Sequence, residues 1–415
     1  MKKKPTDLAG YRFGRAALVV VFLFLALSHI GEVEARRPWK NGGGSTRAHK
    51  FAVKTMKSAD GDIIDCVDIY KQPAFDHPAL KNHTIQREPD VYPSGFEPVA
   101  EKATASVRQL QRFEKCPQGT IPLLRNRLEV DYSAGHHVLA RSGGRAAHMD
   151  VDAYGTSSTA SESSPNAGHE YAVVSTASGG QYYGAKAVIN LWNPSVEGER
   201  EFSLSQLWVL GGSYTTNDLN SVEAGWMVHP YLYGDSQTRL FIYWTNSAYQ
   251  GPGCYNLKCA GFVQTSTEVA MGAAFNPSTY GGEQQELILT VFKDKSSGNW
   301  WLMVGESQVG YWPASLFNTL ADSASMVQWG GEIVNDRTTG RHTATDMGSG
   351  HFPTEGSGKA SYFKNIQVVD GSNALTSPPP GLGRVVTNAQ CYDMEIEAGG
   401  SSFNYGGPGL SDECP

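Results

Sequence analysis

From residue 169 to the C-terminus, short runs rich in β-branched and aromatic residues follow one another, separated by glycine, proline, asparagine and serine. They predict strands at 169–176, 185–192, 205–210, 221–228, 239–244, 286–292, 300–304, 325–334 and 361–369, with few helical apolar stripes between them. Many strands without alternating helices predict an all-β fold, an antiparallel β-sandwich of jelly-roll or concanavalin-like form. Residues 51–139 read as a small mixed unit, with Ile63, Ile64, Val67 and Ile69 as strand residues. Between the two units lies 141–168, polar and rich in small residues, the clearest linker in the chain and a composition that favours proteolytic nicking. No repeat recurs at a solenoid or propeller period.

Two of the runs carry one glutamate each inside an apolar, glycine-containing stretch. They are Ser-Val-Glu-Ala-Gly-Trp at 221–226 and Gln-Trp-Gly-Gly-Glu-Ile at 328–333. In an extended strand, residues two apart share a face. Glu223 then sits with Ser221 and Gly225, while Val222, Ala224 and Trp226 turn away. Gln328, Gly330 and Glu332 share one face, and Val327, Trp329, Gly331 and Ile333 share the other. An ionised carboxylate is costly to remove from water unless paired or protonated, so Glu223 and Glu332 are the first candidates for chemistry. The neighbouring Gly225 and Gly330 leave room for a backbone to approach, as a site for an extended polymer needs. The alternative is that both glutamates are solvated residues on exposed strand faces, with the glycines marking bulges; a bulge at 330–331 would also change the face of Glu332. Gln328 is a same-face candidate for substrate binding, though four residues of strand set it roughly 13 Å from Glu332, which favours a structural role. Trp226 and Trp329 face away from their glutamates and are expected in the core.

The first 35 residues read as a secretory signal peptide: Lys2, Lys3, Lys4, Arg12 and Arg15, then an apolar run over 16–27, then Val33-Glu-Ala. The run is too short to span a bilayer comfortably, and no other approaches about 20 residues. The mature protein is expected to be secreted, free of the membrane and monomeric. Residues 36–50 are basic and glycine-rich. A formal net charge of -7 and 18% charged residues, with no long basic stripe, argue against a nucleic-acid partner. Six cysteines fit an oxidising compartment. They allow 15 connectivities; an even number on each side of the linker favours Cys66 with Cys116, Cys254 with Cys259, and Cys391 with Cys414. Their spacings lack the paired pattern of a structural zinc site, and no metal or cofactor is expected. Asn82-His-Thr is a glycosylation acceptor, which puts that stretch in a surface loop.

Residues 169–415 carry a chain of specific strings: Ser205-Gln-Leu-Trp, Glu223-Ala-Gly-Trp, Leu232-Tyr-Gly-Asp, Gly253-Cys-Tyr-Asn-Leu, Gly261-Phe-Val-Gln, Gly310-Tyr-Trp-Pro, Trp329-Gly-Gly-Glu, Met347-Gly-Ser-Gly-His and Tyr405-Gly-Gly-Pro-Gly. Together they resemble the neprosin family of secreted plant glutamic peptidases. The stretch from Gly61-Asp-Ile-Ile-Asp-Cys resembles the family's activation segment. The resemblance implies a β-sandwich, catalytic glutamates at Glu223 and Glu332, and an endopeptidase that cleaves after proline at acidic pH. It also implies an inactive precursor, with 36–140 as activation segment, 141–168 as linker with the processing site, and 169–415 as catalytic unit.

Two carboxyls close together titrate as a pair, one pKa rising and the other falling. The ionised member would deprotonate a water that attacks the scissile carbonyl, and the protonated member would donate to the oxyanion or leaving nitrogen. Sequence does not say which glutamate is which. Asp60, Asp62, Asp65, Asp68, Asp76, His77 and His83 supply groups through which acid would loosen the segment before the linker. Two carboxylates on a β-sandwich also suit a retaining glycosidase, and aromatic strand faces suit a carbohydrate-binding module of the cell wall. A serine peptidase is poorly supported, because no Gly-x-Ser-x-Gly elbow appears near the matching region.

Overall fold

The computed structural model describes residues 49–96, 113–125, 168–249, 254–336 and 340–415. The expected leader, nearly all of the basic stretch after it, and the linker up to residue 167 lie outside the described residues.

Strands β1 (Ala52–Lys57), β2 (Ile63–Asp68) and β3 (Thr120–Leu124) form a small antiparallel sheet in the order β1-β2-β3. Pro122 is tolerated in β3 because that strand is an edge. Three short 3-10 turns follow β2, at Ile69–Lys71, Pro73–Asp76 and Pro78–Leu80. The last two open on a proline, whose fixed φ and missing N–H suit a first position.

The rest is a β-sandwich. Its strands are β4 (His169–Ser175), β5 (Gly184–Asn190), β6 (Ser203–Gly211), β7 (Asn220–Val228), β8 (Arg239–Thr245), β9 (Cys254–Tyr255), β10 (Val263–Gln264) and β11 (Glu286–Lys293). They continue with β12 (Trp300–Val304), β13 (Ser307–Trp312), β14 (Met326–Val334), β15 (Ser361–Val369), β16 (Leu375–Thr376), β17 (Gly383–Val386), β18 (Asp393–Ile396) and β19 (Phe403–Gly406). A seven-stranded sheet runs β17-β4-β14-β6-β7-β8-β9, and a nine-stranded sheet runs β10-β13-β12-β11-β5-β15-β19-β18 with β16 paired to β15. One short helix, α1 (Pro230–Tyr233), links β7 to β8. The nine runs predicted above are all strands, with ends within two residues, and the class is the expected antiparallel all-β sandwich.

The two sheets bury their facing side chains in one apolar cluster. Ala172, Leu207, Val222, Ala224, Trp226, Ile242, Val327, Trp329 and Ile333 come from the smaller sheet, and Ala187, Ile189, Leu289, Val291, Trp300, Leu302 and Phe363 from the larger. Ile64, Ala74 and Leu80 of the N-terminal unit belong to this same cluster. The unit is also pinned by charge: the buried Arg239 of β8 donates from Nη1 to Asp62 Oδ2 at 2.8 Å and from Nη2 to Asp62 Oδ1 at 3.1 Å. Disulfides join Cys66 to Cys116, Cys254 to Cys259, and Cys391 to Cys414.

Candidate active site

The outer face of the seven-stranded sheet holds the polar residues. β6 lies between β14 and β7 and is antiparallel to both. The register lays three adjacent rows across that face: Tyr171, Glu332, Leu204, Met227 and Arg239; then Val173, Gly330, Gln206, Gly225 and Phe241; then Ser175, Gln328, Trp208, Glu223 and Tyr243. The ladder through Gly330 and Gly331 is continuous, so no bulge turns Glu332 to the core side. Glu223 and Glu332 therefore share a face without being cross-strand neighbours. They are separated by β6 and by one intervening row, and in that row two of the three central positions are glycine. The floor between the carboxylates is thus bare except for Gln206.

Glu223 is 4% exposed and has three donors. Ser221 Oγ donates to Oε1 at 2.6 Å, Gln206 Nε2 donates to Oε2 at 3.1 Å, and the Tyr249 hydroxyl donates to Oε1. Burial dominates over these donors and pushes the Glu223 carboxyl up to about 7; the hydroxyls of Ser221 and Tyr249 and the Gln206 amide pull it down, and the charge of Glu332 raises it. Glu332, also buried, has a different set of partners. His169 Nδ1 and Glu332 Oε1 are hydrogen-bonded at 2.6 Å, and the Tyr171 hydroxyl bonds to the same carboxyl group. The His169 ring stacks on Tyr171 and meets Phe202 edge-on.

Tyrosines wall the Glu223 side. Tyr214 stacks on Tyr249 and Tyr249 on Tyr243, with centroids 5.9 and 5.8 Å apart, and Tyr255 meets Tyr243 edge-on at 4.8 Å. Burial raises the phenols of Tyr171, Tyr243, Tyr249 and Tyr255 far above their ordinary range, so each keeps its O–H as a donor. Tyr249 reaches Glu223 from a loop in which Ala248 and Tyr249 have φ of 48° and 57°. Such left-handed positions cost energy in residues with a Cβ and cluster at functional sites.

The other sequence candidates fall as follows. Gly225 and Gly330 flank Gln206 in the middle row. Gln328 shares a row with Glu223 but Trp208 stands between them, and its Nε2 donates to Ser175 Oγ at 3.3 Å. Trp226 and Trp329 are fully buried in the inter-sheet core. Asn82 is exposed. Among the described residues, His342, Cys391 and Cys414 bring three potential metal ligands together, but both thiols are spent in a disulfide. The structure adds His169, Tyr171, Gln206 and Tyr249, which the sequence reading did not single out. Gln206 carried the same signal as the glutamates, a polar residue in an apolar strand. The other three gave none.

A family model described as Neprosin matches residues 199–408, and one described as Neprosin activation peptide matches residues 55–175. Among solved structures, scytalido-glutamic peptidase with a peptide-based transition-state analogue is 12% identical, with a TM-score of 0.31 over 58% of this chain and 97% of that one. SCP-B, a member of the eqolisin family of peptidases in complex with the tripeptide Ala-Ile-His, is 11% identical, with a TM-score of 0.30 over 58% of this chain and 97% of that one. A beta-porphyranase from the human gut bacterium Bacteroides plebeius is 6% identical, with a TM-score of 0.21 over 38% of this chain and 54% of that one.

Proposed function

The chain belongs to the neprosin family, and from that premise we propose that it is a glutamic endopeptidase whose acid is Glu223 and whose base is Glu332. The observation that carries this is the contrast between the two carboxyls. Glu223 is pushed up to about 7 and holds a proton in mild acid, whereas Glu332 has a histidine and a tyrosine as its partners, His169 and Tyr171. A buried carboxyl that keeps its proton suits the acid, which leaves the base to the other glutamate.

A peptide crosses the strands over the glycine row. Glu332 takes a proton from a water as its oxygen adds to the scissile carbonyl. Glu223 gives its proton to the leaving nitrogen as the C–N bond breaks, and hydroxyls of the surrounding tyrosines screen the charge that develops. Activity falls as pH rises through about 7, because Glu223 then has no proton to give. The proposal includes cleavage after proline, for which the tyrosine rings beside Glu223 offer apolar faces. It also includes secretion, which the three disulfides favour.

The proposal further includes synthesis as a precursor cut within the linker at 141–168. The activation-peptide match runs on to residue 175, yet β4 is hydrogen-bonded between β14 and β17 and carries His169 to Glu332. A cut that removed β4 would remove that partner. Mass spectrometry of the acid-incubated protein is expected to find the catalytic chain starting at or before residue 169; an active chain starting after residue 175 contradicts this.

The test of function is a proline-containing peptide library with the acid-treated protein. New peptide termini are expected, Glu223→Gln and Glu332→Gln each lowering kcat at least about a hundredfold. Full activity in both variants, or reducing ends from polysaccharide in place of peptide products, sinks the proposal.

A further inference from the structure

Gln206 is 1% exposed, in the centre of β6, on the bare floor between the two glutamates. Its Nε2 is committed to Glu223 at 3.1 Å. Its Oε1 is buried and has no hydrogen-bond partner. A buried amide oxygen left unpaired costs free energy that a functional partner recovers. Space for the amide is kept by its neighbour: a Cβ on Gly225 would lie 2.6 Å from Gln206 Cβ and 2.0 Å from Ser205 O. With Nε2 held on the β7 side by Glu223, the carbonyl end of the amide is left for whatever enters between the carboxylates.

Resting on the peptidase reading above, we infer that Gln206 is a third catalytic residue, whose Oε1 accepts a hydrogen bond from the attacking water and orients it toward the scissile carbon. The water then has two acceptors. One hydrogen points at Glu332, which takes it as a proton; the other points at Gln206 Oε1, which holds it without accepting transfer. The water oxygen forms the new C–O bond, and the proton of Glu223 goes to the nitrogen as the C–N bond breaks. Gln206 begins and ends neutral. Its bond to Glu223 couples the two halves of the site, since the same amide that aims the water fixes the acid.

A merely structural Gln206 makes a different prediction. Its amide only pulls the Glu223 carboxyl down, so replacing it by Met or Glu would raise the proton affinity of Glu223 and move the alkaline limb of the pH profile to higher pH, leaving the plateau rate alone. The experiment measures kcat and KM on a peptide substrate across acidic to neutral pH for the protein expressed as the full chain and then processed in acid, and for Gln206→Met, Gln206→Glu and Glu332→Gln. Gln206→Met is expected to lose about 10²-fold in plateau kcat with KM within threefold, the size of one lost transition-state contact. Plateau kcat within threefold of the parent protein overturns the inference.

Gln206→Glu keeps the shape, and decides the matter if the methionine variant does not fold. Protonated, the new carboxyl still offers C=O to the water and O–H to Glu223. Ionised, it repels the acid it should hold. Near-parental activity at the acid end, lost earlier than in the parent as pH rises, is expected; an unchanged profile overturns the inference. Glu332→Gln separates the two levels. If it too retains activity, the glutamic reading itself fails; if it is dead while both Gln206 variants behave like the parent, only the role of Gln206 falls.

Discussion

Burial keeps Glu223 neutral up to about pH 7, where the unfolded chain would have lost the same proton near 4.5. Between those values the native state binds more protons than the unfolded one, so stability falls as pH rises, by about 3 kcal/mol in all. Glutamine at this position cannot ionise. The Glu223→Gln variant is therefore expected to match the parent near pH 4.5 and to exceed it by several degrees in Tm at pH 8, read by scanning calorimetry at both pH values. Parallel pH dependences would mean that Glu223 is not held neutral by burial. The glutamates themselves were legible because each interrupts an apolar alternation, and the period of two also put Ser221 beside Glu223. Their other partners were not. Gln206 and His169 arrive from β6 and from the start of β4 through the strand register, and Tyr249 arrives from the loop after β8.

At the level of elements, the strands that were legible in the sequence are those with one face in the inter-sheet core. β1 was missed because its residues alternate between half-buried and exposed with no strong apolar face. β3 was obscured by Pro122, and β17, β18 and β19 by their length of four residues each. Strand order was not legible at all: β14, late in the chain, inserts between β4 and β6, and this long-range pairing is what sets Glu332 on the face of Glu223. The insertion leaves little room. A Cβ on Gly330 would lie 2.2 Å from Ala172 O and 2.7 Å from Val173 Cα on β4. Gly330→Ala must push β4 and β14 apart, at a cost on the order of 1–3 kcal/mol. Urea unfolding is expected to show a lower midpoint with an unchanged slope, together with lost activity because β4 carries His169. A variant as stable and as active as the parent would show that the strands have slack the distances deny.

In the whole molecule the N-terminal unit is less separate than its composition suggests, because a strap of residues 83–96 runs from it onto the larger sheet. His83 Nε2 meets the Tyr311 hydroxyl at 2.7 Å, Gln86 Nε2 and the Asp90 N–H donate to Asp294 Oδ2 at 2.8 and 3.0 Å, and Tyr92 and Phe96 pack on Phe292. His83 was legible as an acid-sensitive group. Its partner Tyr311 and the hub Asp294 were not, since both lie more than two hundred residues away. Burial lowers the His83 pKa, so below its ordinary 6.5 the unfolded or undocked chain binds the proton better and docking weakens. Asp294 is shifted down by the N–H groups of Asp90 and Ser296 and the side chains of Gln86 and Ser297, which outweigh its burial; its contribution is present above the ordinary 3.8 and is lost as pH falls toward the lower folded value. Acid is therefore expected to loosen the strap in two steps, His83 first and Asp294 second. Hydrogen exchange over 83–96, referenced at each pH to an unstructured peptide and performed in the Glu332→Gln background to silence self-cleavage, reads both. Protection should fall once below about pH 6.5 and again below about pH 4. His83→Gln, which keeps a hydrogen bond to Tyr311 without a titrating ring, should erase the first step and leave the second. Loss of protection in the variant at the same pH as in the parent would show that His83 does not set the first step, and a single transition coinciding with global unfolding would show that the strap has no acid response of its own.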